Sequence, residues 1–287
     1  MTATPAGPRR QSQRLQRSNG AAELSFRKRA EGTALAHLFQ SDPCRVMFPD
    51  PEPGDSLQAV LVTTSGGLTD GDRVRIAVAC ESGAEVVVSG QAAEKIYRAA
   101  SEQDCEVDIA LSVGAGAVLE WLPQETILFE GARLRRRSEA DLAPDARLLA
   151  CEILAFGRTA GGEQFTQGAV LDRWRLRRDG RLIWADALQV SGGLPQIAGF
   201  GDATACGLAF YAGDGSDRLL ALSRTLLEDA EAHWPALRGG TTLVNGVLLA
   251  RFLGASKDVR QATMGWLARL RAAALGRPQR LPRVWHV

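Results

Sequence analysis

The stretch "LQAVLVTTSGGLTDGDRVRIAVAC", residues 57–80, decides the fold class of this chain. Two runs rich in Val, Leu and Ile flank a segment rich in Gly, Thr and Asp, and residues 73–78 alternate polar with apolar side chains. Such alternation is typical of a β-strand with one solvent-exposed face. The stretch therefore predicts strands at 57–64 and 73–79, joined by a turn that its glycines permit.

The same Gly-rich segment is a poor candidate for a phosphate or calcium site. Gly66 and Gly71 have the spacing of a P-loop, but Asp72 stands where that motif needs a lysine and would repel phosphate. No helical pattern follows, which excludes a dinucleotide fingerprint. Asp70 and Asp72 alone are too few for an EF-hand loop. A turn between strands remains the physical interpretation.

Similar short apolar runs continue the β pattern along the chain, about 10–15 residues apart. They include "GAEVVVSG" (83–90), "CEVDIALSV" (105–113) and "GAVLEWLP" (116–123). Within "DRWRLRRDGRLIWADAL" (172–188), the Asp179–Gly180 pair predicts a two-residue β-hairpin. Regular spacing of short strands is typical of an all-β architecture, here from about Ala22 to Leu194.

The C-terminal third predicts two helices. The first spans about 216–234, with Ser216 or Asp217 as its N-cap, and the second spans about 256–275, with Ser256 as its N-cap. Gly276 is expected to end the second helix.

Between the helices, Pro235 and the Gly239–Gly240 pair are expected to end the first helix, and residues 241–254 predict one strand. Helices that follow a long β region favour a mainly β fold with segregated helices over alternating βαβ units.

Composition excludes several classes of protein. A net charge of +1 over 287 residues does not favour nucleic acid binding. The five cysteines are an odd number without any C-x-x-C pair, so they predict reduced, buried thiols in a cytoplasmic protein rather than disulfides or a zinc site. No run is long and apolar enough to predict a membrane span.

The polar, arginine-containing segment 1–20 lacks the apolar core of a secretion signal and predicts a disordered basic tail. Residues 21–287 are then expected to form a single β-rich domain that carries the two helices.

Candidate functional residues are carboxylates rather than histidines. His37, His233 and His286 are isolated in the sequence and form no metal-binding motif, and no G-x-S-x-G nucleophile elbow is present. Carboxylates do occur in apolar or strand-like surroundings. They are Glu94, Glu120, Glu125, Glu152, Glu163, Asp172 and Asp186.

Two interpretations of these carboxylates remain open. Buried charges are usually paired, here with arginines such as Arg98, Arg158, Arg173 and Arg175. Alternatively, the acids provide hard oxygen ligands along a water-filled path and hold a divalent cation weakly.

The sequence also raises an enzymatic alternative and a basic surface. A hydrolase that uses Glu120 and Glu125 is disfavoured, because their odd spacing predicts opposite faces of a strand. The clusters 133–137 and 173–178 are basic, but strand alternation should divide each of them between two faces.

Five motifs together resemble the urease accessory protein UreD family, also called UreH. In order they fall between about Glu23 and Trp285, and so cover nearly all of the expected domain. They are "LVTTSGGLTDGDR" (61–73), "AAEKIYRA" (92–99), "LEWLPQETILFEGA" (119–132), "ILAFGRTAGGEQFTQGAVLDRWRLRRDGRLIWADAL" (153–188) and a last motif that joins "GVLLARFLGASKDVR" (246–260), "LGRP" (275–278) and "LPRVW" (281–285).

The resemblance implies a fold and a role. The implied fold is mainly β, a two-layer, helically wound sheet architecture with two C-terminal helices. The implied role is a non-enzymatic maturation chaperone that works with a UreF-type accessory protein and a UreG-type GTPase on apo-urease. It implies GTP-dependent insertion of nickel, no tightly bound cofactor, and transient Ni²⁺ in an internal tunnel.

Combined with the carboxylate inventory, the resemblance gives weak, transient nickel candidates. They are Asp72, Glu94, Glu125, Glu163, Asp172 and Asp186. The alternative is a β-rich adaptor that bridges the partner proteins to urease without handling metal.

Overall fold

The computed structural model describes residues 17–158, 161–194 and 199–286. Most of the predicted tail, residues 1–16, lies outside these described residues. The strands are β1 (Asn19–Arg29), β2 (Gly32–Ser41), β3 (Cys44–Met47), β4 (Leu57–Thr63), β5 (Arg73–Cys80), β6 (Glu85–Gly90), β7 (Glu94–Ile96), β8 (Cys105–Val113), β9 (Val118–Leu122), β10 (Thr126–Leu128), β11 (Arg133–Leu142), β12 (Arg147–Phe156), β13 (Ala169–Arg178), β14 (Arg181–Ser191), β15 (Ala205–Ala212), β16 (Arg238–Val244) and β17 (Val247–Gly254). The helices are α1 (Leu219–His233) and α2 (Ser256–Leu275), and a 3-10 turn follows at Arg283–His286.

The chain winds as a coil between two sheets. From β4 to β13 the long strands alternate between a ten-stranded sheet and a seven-stranded sheet. Successive turns stack in parallel, as β5–β8–β11–β13 in one sheet and β4–β6–β9–β12 in the other. The predicted two-layer, helically wound β architecture is confirmed.

The helices add a third layer. One apolar core fills the space between the two sheets, and a second fills the space between the ten-stranded sheet and the helices. The layer in which a strand lies determines how its residues are buried. Strand β12 in the middle layer is buried on both faces, whereas β11 in the outer sheet alternates between buried and exposed positions. Among the described residues, neither helix is long and apolar enough to cross a membrane.

Two hairpins show where turn chemistry sets the topology. The Asp179–Gly180 turn joins β13 to β14 as predicted, with φ angles of 49° and 73°. A second turn, at Asn245–Gly246, has φ angles of 48° and 79° and divides the single strand predicted for 241–254 into β16 and β17. The single-strand prediction was wrong because an Asn-Gly pair is itself a hairpin signal.

The helix ends correct three further predictions. Arg218 and Ala255 occupy the N-cap positions without a capping side chain, so Ser216 and Ser256 are not caps. The Ser216 hydroxyl donates instead to the Gly213 carbonyl at 2.7 Å. Helix α1 ends at His233, and Gly239–Gly240 belong to β16 rather than to a helix stop. Gly276 ends α2 as predicted, with a φ of 65°.

The Gly-rich segment 64–72 is the corner at which the chain passes from one sheet to the other. The flanking strands β4 and β5 exist as predicted, but they lie in different sheets and do not pair. Asp70 accepts a hydrogen bond from Arg17, and Asp72 accepts one from the Ser18 amide, at 2.9 and 2.7 Å. Arg17 and Ser18 therefore already make contacts with the domain, and β1 begins at Asn19, inside the predicted tail.

Candidate functional site

Two cavities lie between the sheets. The first has a volume of about 220 Å³, and its polar lining comprises Thr63, Glu94, Gln124, Thr126, Arg136 and Glu152 among mainly apolar walls. The second has a volume of about 370 Å³, and its charged lining comprises Glu152, Asp172, Asp186, Arg238 and Arg251. Glu152 lines both cavities, so the two spaces meet at this residue.

Three charged side chains, which we term the central cluster, form the meeting point: Arg136, Glu152 and Asp172. Parallel pairing of β11 with β13 sets Arg136 beside Asp172, and Glu152 reaches them from β12 in the opposite sheet. Arg136 Nε donates to Asp172 Oδ1 at 3.1 Å, and Arg136 Nη2 contacts both Glu152 Oε2, at 2.9 Å, and Asp172 Oδ2. The guanidinium thus joins the two sheets.

Burial and pairing set the charges in the central cluster. Burial lowers the pKa of Arg136, but the charges of Asp172 and Glu152 outweigh it and leave that pKa above its ordinary value. Burial raises the pKa of Glu152 well above the ordinary 4.5, and the Arg136 charge and the Trp174 indole, which donates at 3.0 Å, only partly oppose that rise. Arg136 is a permanent internal cation, whereas burial shifts Glu152 towards its neutral form.

Glu94 is the carboxylate of the first cavity. The Thr63 hydroxyl donates to Glu94 Oε2 at 2.5 Å, and burial raises the pKa of Glu94 despite this hydrogen bond. Cys44 lines the same cavity, and burial followed by the Glu94 charge raises its pKa to about 11. The thiol is therefore protonated near neutral pH and is a weak metal ligand.

Asp186 is the outer carboxylate of the second cavity. It pairs with Arg251 at 2.8 Å, where β14 of one sheet faces β17 of the other. Cys206 also lines this cavity, and burial raises its pKa to about 12. Both cavities therefore contain oxygen ligands and protonated thiols.

Three of the six predicted candidates lie outside the cavities. Asp72 accepts hydrogen bonds from the amides of Ser18 and Thr69 at 2.7 and 2.8 Å, which stabilise the sheet-to-sheet corner. Glu125 turns towards α2 and pairs with Arg260 at 3.1 Å. Glu163 accepts a hydrogen bond from the Glu130 amide at 2.5 Å. The structure thus brings Glu94, Asp172 and Asp186 to the cavities and leaves these three in local structural contacts.

Signals for the other two members of the central cluster were weak in the sequence. Glu152 interrupts the apolar run "LLACEILAF", but it is not among the six nickel candidates. Strand alternation in the cluster 133–137 is confirmed, since Arg135 and Arg137 are exposed and Arg136 is buried. A buried arginine at the inward position, between Leu134 and Ser138, was the signal that could have located the cluster.

Most of the carboxylates pair with arginines other than the predicted ones. Among the described residues, only Arg158 of the four expected arginines pairs with one of these acids, Glu163, at 3.5 Å. The expectation that Glu120 and Glu125 face opposite sides is wrong, because both turn to α2, where they pair with Arg271 and Arg260. Pro123 interrupts the strand between them and shifts the alternation.

A tight metal centre is absent from the part of the chain that the structure describes, since no three His, Cys, Asp or Glu side chains lie close enough to share an ion. All three histidines are exposed and none lines either cavity. Among the described residues, the cavities therefore contain separate carboxylates and protonated thiols rather than a cluster of ligands.

Comparison with known proteins gives the family. Residues 18–286 match the family described as UreD urease accessory protein. A urease accessory protein UreD of Magnetococcus marinus is 41% identical over 272 residues, which cover 93% of this chain and 94% of the relative. A urease accessory protein UreD 3 of Bradyrhizobium sp. strain BTAi1 is 40% identical over 294 residues, covering 99% of both chains. Since both matches span nearly the whole chain, it belongs to the UreD urease accessory protein family.

Proposed function

We propose that this chain is a non-enzymatic urease maturation protein and that its two cavities form the path along which Ni²⁺ passes towards apo-urease. In this proposal the chain works in the cytoplasm, in a complex with a UreF-type accessory protein and a UreG-type GTPase. The carrying observation is that two cavities between the sheets meet at one residue and contain carboxylates along their length.

The ligand chemistry of the cavities suits transient passage. Nickel binds imidazole and thiolate strongly, whereas carboxylate and water hold it less tightly. Glu94 and Asp186 provide one carboxylate each, in different cavities. Because burial keeps Cys44 and Cys206 protonated, neither thiol traps the ion. The path would attract a cation and release it.

Energy input is assigned to the partner GTPase. The Gly-rich loop in which Gly66 and Gly71 have P-loop spacing forms the corner between the sheets, and its Asp70 and Asp72 carboxylates would repel phosphate. In this proposal the chain therefore contributes the path and the partner hydrolyses GTP.

Replacement of the cavity carboxylates by amides tests the path. We expect Glu94→Gln and Asp186→Asn to lower the nickel content of urease several-fold in a reconstituted maturation reaction, because each removes a charge that attracts the cation. The fold should tolerate both changes: an amide oxygen in place of the Glu94 carboxylate can still accept from Thr63, and Asp186 pairs with an Arg251 side chain that is 58% exposed. Nickel per urease and complex assembly are both measured.

Glu125→Gln is the matched control, because Glu125 faces α2 and lies outside both cavities. It should deliver nickel as the wild type does. If both cavity variants assemble normally and load urease fully, the conduit is wrong and the adaptor alternative replaces it.

A further inference from the structure

The central cluster closes the only contact between the two cavities that the described residues show. Arg136 lines the first cavity, Asp172 lines the second, and Glu152 lines both. The Arg136 side chain is 9% exposed and that of Asp172 is 2% exposed, so these groups fill the wall instead of bordering an opening. A cation in one cavity meets a guanidinium group before it reaches the other.

We infer that the Arg136 guanidinium is a closed gate, a resident cation that occupies the position between Asp172 and Glu152 and that a passing divalent cation must displace. This inference rests on the proposed nickel path and adds its regulation. A single nitrogen, Nη2, contacts an oxygen of both carboxylates, which is the position from which one cation would bind both.

The cluster is built so that Arg136 can leave. Its Nη1 already donates to the Thr126 hydroxyl, on the first-cavity side, at 3.0 Å. The first cavity offers about 220 Å³ into which the side chain can rotate. Arginine cannot lose its proton to reduce the repulsion, so displacement is the means by which the wall opens to a cation.

The gate predicts that removal of the guanidinium creates affinity for metal. In Arg136→Gln, two buried carboxyl groups lose their resident cation, and we expect Ni²⁺ to bind the purified chain about tenfold or more tightly than it binds the wild type. Equilibrium dialysis with Ni²⁺ alone measures this. Arg136→Lys retains the charge and should bind at the wild-type level, and Arg136→Gln/Glu152→Gln/Asp172→Asn should lose the gain.

Two outcomes overturn the gate. One is a folded Arg136→Gln chain that binds nickel no more tightly than the wild type, and the other is a gain that persists in the triple variant. If Arg136→Gln does not fold, the double variant Arg136→Gln/Asp172→Asn removes one positive and one negative charge and leaves the net charge of the cluster unchanged. It therefore still tests whether the Arg136 side chain separates the two cavities. Its crystal structure should show one continuous cavity, and two separate cavities would overturn the assignment.

The gate and the path can fail separately. Nickel binding by Arg136→Gln is measured on the chain without urease, whereas the path is measured as nickel delivered by Glu94→Gln and Asp186→Asn. If Arg136→Gln shows no increase in nickel affinity, the gate is wrong but the amount of nickel delivered by the cavity variants still tests the path. If the cavity variants deliver nickel normally, the path is wrong but the nickel affinity of Arg136→Gln is still a separate measurement.

Discussion

One buried carboxyl group, Glu152, makes the stability of the sandwich depend on pH. Burial raises its pKa in the folded chain above the ordinary 4.5. The protonated form is therefore the one that the fold favours. Its stabilising effect is complete below the ordinary value and is lost as the pH rises through the higher folded value.

We therefore expect Glu152→Gln, which keeps a neutral side chain at every pH, to remove this loss. Within the window between the ordinary and the folded pKa, the variant should gain stability over the wild type by about 1.4 kcal/mol per pH unit. Urea unfolding at a series of pH values measures the difference. Glu139→Gln, at an outward-facing position of β11, is the control for loss of a carboxylate. A difference in unfolding free energy between Glu152→Gln and the wild type that stays constant with pH would contradict the raised pKa of Glu152.

At this scale, strand alternation predicted part of the candidate site. The sequence identified Asp172 and Asp186 as acids in strands, and the structure places both at a cavity. It could not predict that Arg136 would be the partner of Asp172, because β11 and β13 are adjacent only after the chain has completed a turn of the coil. Alternation gives the face on which a side chain lies, and parallel register gives its partner.

Helix α2 is attached to the ten-stranded sheet through a buried arginine. Arg271 is fully buried, and it contacts Glu120 of β9 at 2.5 Å and Asp55 of the loop before β4 at 2.8 Å. Such a cluster is weak evidence for net stability, but removal of one partner leaves uncompensated buried charge.

Arg271→Met should destabilise the protein by about 3–5 kcal/mol, since it leaves Glu120 buried without its ion-pair partner and leaves Asp55 with Arg280 alone, at 3.2 Å. Adding Glu120→Gln should restore part of the loss, because the acid that has lost its ion-pair partner is then neutral. Chemical unfolding of the two variants measures this coupling. The exposed Arg269 lies on the same helix, and Arg269→Met should change stability by less than about 0.5 kcal/mol. Equal effects of Arg271→Met and Arg269→Met would contradict the role of the buried cluster.

Elements with their own local signals were the easiest to predict. Helix α2 has the predicted bounds, 256–275, because its apolar stripe and Gly276 both lie within the segment. Strand β8 likewise spans the predicted 105–113. The β16–β17 hairpin was missed because the Asn245–Gly246 signal lies inside a continuous apolar run. Strand partners had no local signal, since parallel partners are separated by a full turn of the coil.

The C-terminal strap, residues 277–286, connects distant parts of the molecule. Trp285 is fully buried, and its indole donates to the Leu122 carbonyl at 3.2 Å. Arg280 pairs with Glu52 at 2.7 Å, and Arg277 pairs with Glu85. The strap therefore joins the loop before β4, strand β6 and the end of β9.

We expect Trp285→Ala to destabilise the whole chain by about 3–5 kcal/mol, because a large buried side chain is lost from the core beneath the helices. Thermal unfolding is followed by far- and near-ultraviolet circular dichroism, and the midpoint temperature should fall by the same amount with both probes. Arg283→Ala is the matched control, since the Arg283 side chain is 86% exposed and its loss should have little effect. A lower midpoint confined to the near-ultraviolet signal would show that the strap unfolds separately.

At the scale of the whole molecule, composition and spacing predicted a β-rich fold with segregated helices. The helical winding of its two layers came from the family resemblance. Strand spacing alone is equally compatible with a sandwich of antiparallel hairpins, because period-two alternation does not state whether neighbours run parallel.

The position of the strap also bears on biosynthesis. The outer face of β9 and its neighbours is covered by α2 and by Trp285, which follow the strands of both sheets in the sequence. A ribosome therefore completes both sheets before it releases the residues that cover one of them. During that interval the nascent chain presents an apolar surface to water, and association with other chains competes with folding. Translation of residues 256–286 is thus the step at which a companion protein would protect this chain most effectively.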